Sequence, residues 1–215
     1  MKIFYLEHLK LRKKTRSWLG PILVFSLIMI AYPLTVEFLQ TNLEKSFYSL
    51  LWISILLSMM LATEDIFLED FSDGSLEQTI ISNASFPLLI AKKIFIYWLM
   101  IGIPISFLSF LFSLSLTQDF NLSLSIFPLS VVSSYIFLNL FVFGNALSLN
   151  KGSVLGAIIT MPLALPVLII LGKSVIAIEF GINYVEFLLL LLGILSIIIT
   201  IVPFIISYVI KAHLE

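Results

Sequence analysis

The chain has 215 residues, of which 60% are hydrophobic and 12% charged, with a formal net charge of −1 and a mean hydropathy of +1.13. Too few polar residues remain to cover a water-facing globule, so composition excludes a soluble single-core protein and indicates an integral membrane protein. The absence of cysteine also excludes disulfides, iron–sulfur ligation, thiolate metal sites and cysteine nucleophiles.

Residues 1–18 are basic and amphipathic. Lys2, Lys10, Arg12, Lys13, Lys14 and Arg16 interleave with Ile3, Phe4, Leu6, Leu9 and Leu11, a pattern suited to the headgroup region of a bilayer. The apolar run after them is longer than a signal-peptide core and lacks a small-x-small cleavage site, so it reads as a retained first span. A helix needs roughly 20 apolar residues to cross the hydrocarbon, with a lower limit of about 17. Six segments meet this length: 20–38, 46–63, 94–117, 126–149, 153–172 and 187–210. No internal repeat or Pro/Gly/Ser-rich linker divides them. The prediction is an all-α integral membrane protein, one polytopic domain over 1–215 with six transmembrane helices.

Charge orients the spans. With six crossings both termini share a side, which carries the six N-terminal bases together with Lys92, Lys93, Lys151 and Lys211; the other side holds Lys45 and Lys173. Basic loops stay in the cytoplasm, so the termini and the 64–93 loop are predicted to be cytoplasmic.

That loop opens with EDIFLEDFSDGSLEQ, in which Glu64, Asp65, Glu69, Asp70, Asp73 and Glu77 crowd into fourteen residues with no base among them. A carboxylate at the bilayer centre costs about 2.5–3.5 kcal/mol on insertion scales, so the second span must end near Thr63. Helical spacing puts Met60, Phe67 and Phe71 on one face and Asp65 and Glu69 opposite. Asp73-Gly74 signals a turn, and Ser75 with Gln78 has the spacing of a capping box, which predicts a short helix from Ser75. Ser85-Phe86-Pro87 is a further helix start. Two roles fit this acidic loop: pairing with the basic N-terminus, or docking a cytoplasmic partner of complementary charge. The helix–turn–helix chemistry favours docking, because a merely solvated loop needs no such shape.

Within the later spans, Asn139 is a candidate interhelical hydrogen-bond donor, and Phe143-Gly144-Asn145 interrupts the end of span 4. Gly152, Gly156, Thr160 and Ala164 form a stripe of small residues that permits close helix packing. Pro162 and Pro166 bend the same span, and Pro104 and Pro203 bend spans 3 and 6. Gly172-Lys173-Ser174 imitates the tail of a phosphate-binding loop, but the motif needs a glycine at position 167, where valine stands. Energy must therefore come from another polypeptide. No convergent set of titratable groups lies at membrane depth, which weighs against an intramembrane enzyme.

The stretch LATEDIFLEDFSDGSLEQ resembles the signature of the CcmB family, the permease subunits of the haem exporter in cytochrome c maturation. ALSLNKGSVLGAIITMPLALPVLIIL, residues 146–171, resembles that family's second motif, a basic-glycine turn followed by a P-L-x-x-P span. The resemblance implies an ABC-2-like membrane subunit without catalysis of its own, in the bacterial inner (cytoplasmic) membrane. It also implies that the loop between spans 2 and 3 is a coupling helix docked on an ATPase. Carried onto this chain, the docking residues are Glu69, Asp70, Asp73, Gly74, Ser75, Leu76, Glu77 and Gln78. Gly74 would supply the turn, Ser75 the cap, Leu76 an apolar contact and the acids charge complementarity. The implied partners are a pair of ATPase subunits, a haem-handling membrane subunit with its small helper and, indirectly, a haem chaperone. A second copy of this chain and membrane lipid are further candidates; nucleic acid is not one. ATP would bind the partner and haem would be handled by the complex. His8 and His213 sit at the chain ends, and the methionines in the spans suit core filling better than ligation. The residues thus favour mechanical transmission over stable haem binding by this chain. The alternative is an ABC-2-type exporter permease for a lipid, drug or polysaccharide.

Overall fold

A computed structural model describes residues 15–37, 43–81, 85–149 and 153–214, and all the regular structure among them is helical. In chain order the helices are α1 (Thr15–Glu37), α2 (Leu43–Thr63), α3 (Leu68–Ser72), α4 (Ser75–Ile81), α5 (Phe86–Tyr97), α6 (Ile103–Thr117), α7 (Phe120–Leu147), α8 (Ser153–Glu179) and α9 (Val185–Leu214). One π-helical turn, Trp98–Gly102, joins α5 to α6. Six helical segments are long and apolar enough to cross a membrane, matching the six predicted spans. The helix of span 3 starts at Phe86, as Ser85-Phe86-Pro87 predicts, ahead of the apolar run from residue 94, and the helix of span 5 continues past the apolar run, to Glu179. The basic 1–14 segment, Gly152 and Lys151 lie outside the described residues.

The bundle is built around α7, which packs against α2, α6, α8 and α9. Its apolar window is 72% buried, against 22% for α1 and for α9, so α7 is the axis and the first and last spans face outward. Leu27, Ile197, Phe204 and Tyr208 are each more than three-fifths exposed, an arrangement that suits lipid rather than water. Inside, the buried polar groups are mostly serines that satisfy themselves. Ser54, Ser106 and Ser109 donate to carbonyls one turn back at 2.7–2.8 Å, the usual solution where water is absent. Asn139 behaves the same way. Its amide donates to the Tyr135 carbonyl of its own helix at 2.8 Å, not across helices as expected.

The π turn has a local cause. Pro104 has no N–H for the Met100 carbonyl and its ring crowds that carbonyl, so the helix widens by one residue just before it. Gly102 then matters for packing, because a side chain there would strike the Trp98 indole and stand 3.2 Å from Ser134 Oγ. With glycine, Trp98 Nε1 donates to Ser134 Oγ at 3.2 Å and its ring stacks on Tyr135 at 4.8 Å.

Candidate functional site

The acidic segment folds as its residues dictate, with two changes. Helix α2 stops at Thr63, and residues 64–67 form a turn rather than a helical extension. The Ile66 N–H goes back to Thr63 O at 3.1 Å. Of the predicted faces, Phe67 is buried and Met60 and Phe71 half-buried, while Asp65 and Glu69 are exposed. Helix α3 ends at the expected break. Gly74 takes φ +73°, the left-handed conformation that glycine alone enters cheaply.

Helix α4 starts at Ser75 as predicted, but its cap is a different residue. Asp73 Oδ1 accepts the Ser75 N–H at 2.9 Å, while Ser75 Oγ donates to the Asp70 carbonyl at 3.2 Å and the Gln78 N–H goes to Gly74 O at 3.3 Å. Asp73 therefore caps, and Ser75 ties α4 to α3. A carboxylate is the better acceptor for an N–H at the positive end of a helix.

Burial sorts the remaining residues. Glu69, Asp73, Glu77 and Gln78 are exposed, with Gly74 and Ser75 half-buried. Asp70 and Leu76, which the resemblance put against a partner, are turned inward at 9% and 6% exposure. Asp70 forms an ion pair with Lys93 of α5, both side chains being 12% exposed. The same ammonium lies 5.5 Å from the centroid of the Phe67 ring, a cation–π position. The pair fastens α3 to the start of span 3, so one acid of the cluster shapes the segment instead of facing outward.

A second fastening reaches the other half of the bundle. Asn145 Nδ2, near the end of α7, donates to the Thr63 carbonyl at 2.7 Å, across 82 residues of sequence. One residue before it, Gly144 meets Gly156 of α8 backbone to backbone. A Cβ on Gly144 would run into the Gly156 carbonyl and stand 2.7 Å from Thr160 Cγ2; one on Gly156 would run into the Gly144 carbonyl and stand 2.6 Å from Ser148 Oγ. Thr160 and Ala164 of the small-residue stripe are fully buried, whereas Pro162 and Pro166 face outward on a helix that runs on through both. Sequence reasoning named Gly156 but missed its partners Gly144 and Ser148. The available signal was Gly-Asn closing an otherwise apolar span twelve residues before the stripe glycine.

Two clefts flank the segment. One of about 470 Å³ lies between the start of α1 and the end of α2, lined by Gly20, Pro21, Leu61, Glu64, Asp65 and Tyr97, among others. A smaller one of about 190 Å³ lies between residues 64–68 and the end of α7. Among the described residues no three His, Cys, Asp or Glu side chains gather as a metal site.

The sequence model of the family described as "CcmB protein" matches residues 1–213. The chain is 28% identical over 205 residues to "Heme exporter protein B" of Haemophilus influenzae, covering 94% of this chain and 93% of that protein. It is 30% identical over 191 residues to the protein of the same name from Pseudomonas aeruginosa, covering 87% and 85%, and 30% identical over 184 residues to that from Paracoccus denitrificans, covering 81% and 82%. Similarity on this scale, running through both the acidic segment and the α7–α8 hairpin just described, leaves one conclusion: the chain belongs to the CcmB protein family.

Proposed function

We propose that this chain is the multi-pass inner-membrane permease subunit of a haem export system for cytochrome c biogenesis in a bacterium. The observation that carries the reading is near-end-to-end similarity to proteins named heme exporter protein B, combined with six apolar helices. The export reading for lipids, drugs or polysaccharides has no such support.

The chain works as a mechanical transmitter. ATP is hydrolysed by a cytoplasmic partner that docks on α3 and α4 through the exposed Glu69, Asp73, Glu77 and Gln78, with Gly74 and Ser75 setting the turn. Asp70 and Leu76 hold the segment in shape from beneath. Movement of the docked segment passes to span 3 through Asp70–Lys93 and to α7 through Thr63–Asn145. It passes on to α8 through the Gly144–Gly156 contact. Pro162 and Pro166, each removing a backbone hydrogen bond, are the points where α8 flexes. Haem is handled by the assembled complex, which includes a haem-handling membrane subunit.

The test is charge reversal on the outer face. Glu69→Lys, Asp73→Lys and Glu77→Lys together should abolish co-purification of the ATPase subunit and c-type cytochrome assembly, while the chain still accumulates in the membrane. Survival of both would sink the docking assignment.

A further inference from the structure

We propose that the π turn Trp98–Gly102 is a hinge, on which α5 swings as a lever while α6 stays fixed to the axis of the bundle. The inference rests on the docking reading above and deepens it, because it says where movement delivered to Lys93 is absorbed.

Three observations carry it. First, the two halves of span 3 rest on different neighbours. Helix α5 packs chiefly on α9, whose apolar window is only 22% buried, and α6 packs chiefly on α7, whose window is 72% buried. The π turn is the junction between them. Second, the halves are fastened at opposite ends. Lys93 ties α5 to Asp70 of the docking segment. Near the far end of α6, Ser113 Oγ meets the Tyr48 hydroxyl of α2 at 3.2 Å and Ser123 Oγ of α7 at 3.1 Å. All three of these side chains are buried. A displacement applied at Lys93 is therefore taken up before Ser113. Third, the backbone between these fastenings is weakest at the turn. The Ile103 N–H bonds the Trp98 carbonyl, five residues back, and Pro104 offers no N–H, so fewer bonds hold the turn than hold a regular helix. Ser106 Oγ adds a bond to the Gly102 carbonyl at 2.8 Å, a side-chain contact that favours bending. Sharp helix bends occur at such wide turns, which recur at functional sites. The pivot itself is held to the axis. Trp98 bonds Ser134 and stacks on Tyr135, both of α7, so the turn stays in place while the helix below it moves.

A straightened span 3 tests the hinge. Pro104→Ala combined with deletion of Leu99 takes out the surplus residue of the turn, so the helix becomes regular while Lys93 and Ser113 keep their present faces. Leu99 is 45% exposed, and its loss leaves no cavity in the core. The variant should unfold at no lower temperature than the parent chain and should co-purify the ATPase subunit. Assembly of c-type cytochromes should nevertheless fall about tenfold or more, as expected when a hinge is stiffened. Assembly at the parental level overturns the hinge and leaves the docking reading standing. Loss of ATPase binding by the folded variant overturns it too, because the turn then shapes the docking segment instead of releasing it. Should the variant fail to accumulate, hydrogen exchange in the unaltered complex decides. During ATP turnover the amides of residues 99–103 should exchange about tenfold faster than in the nucleotide-free complex, with those of residues 107–117 unchanged. Equal rates in the turn overturn the proposal. Co-purification that survives reversal of Glu69, Asp73 and Glu77 overturns the docking reading and the hinge with it.

Discussion

At Asp70 a carboxylate that reads in the sequence as one of six surface acids proves to be committed to Lys93. Removing one partner of a buried ion pair strands the other charge, at a cost of about 3–5 kcal/mol in full burial. At 12% exposure of each side chain, Asp70→Asn or Lys93→Met should fall towards the lower end of that range. The swap Asp70→Lys with Lys93→Asp should recover much of the loss; thermal unfolding of the solubilised protein measures both. No such rescue exists for the glycine pair. Gly144→Ala and Gly156→Ala each drive a methyl into a facing backbone carbonyl, which no rotamer change relieves. Overpacking of this kind costs about 1–3 kcal/mol, and each variant should unfold at a lower temperature. Gly74→Ala meets open space at φ +73°, so its cost is only the left-handed penalty of about 1–2 kcal/mol. That variant should weaken the ATPase complex more than it destabilises the bundle, as co-purification set against unfolding temperature would reveal.

At the scale of elements, helix starts and spans were legible because they depend on neighbours in sequence. The break at Gly74, the start at Ser75 and the start at Phe86 all follow from local chemistry. The choice of Asp73 over Ser75 as the cap did not, since both hydroxyl and carboxylate are competent and the tie to the Asp70 carbonyl decides between them. Span 3 shows the same limit. Its proline predicts a bend, but not that the helix answers with a π turn at Trp98–Gly102. Helix propensity alone favours Pro104→Ala by about 3 kcal/mol. Here the gain should not appear, because a regular α-helix has about 100° per residue. Losing the extra residue of the wide turn would swing Lys93 away from Asp70 and Trp98 away from Ser134. The expected unfolding temperature is unchanged or lower, and a clear rise would refute this account of the turn.

For the whole molecule the central question is which side the acidic segment faces. Basic residues divide ten to two between the two sides of the six-span topology, which predicts that the richer side faces the cytoplasm. Because the chain lacks cysteine, Lys173→Cys and Ser72→Cys each introduce one thiol on opposite sides. A membrane-impermeant maleimide applied to spheroplasts should label the first, and should label the second only after permeabilisation. The reverse pattern would invert the topology and remove the docking site from the ATPase's compartment. Mechanical transmission carries its own expectation. The chain purified alone should show no haem Soret band, whereas the complex with its haem-handling subunit should retain one; a stoichiometric band in the isolated chain would make it a haem carrier.

Class, span number and the place of the break after the second span were determined by sequence alone, because hydrophobic length, charge exclusion from hydrocarbon and glycine turns act within a few residues of chain. The motifs carried the family in the same way. Only the tertiary structure decided which acids face outward and which turn in, that Asn145 grips Thr63 across 82 residues, and that Gly144 rather than a neighbouring chain meets Gly156. These outcomes depend on which helix lies against which. A span that is apolar on every side carries no stripe to announce its neighbour, so that choice is made by packing and by the few polar groups left without water.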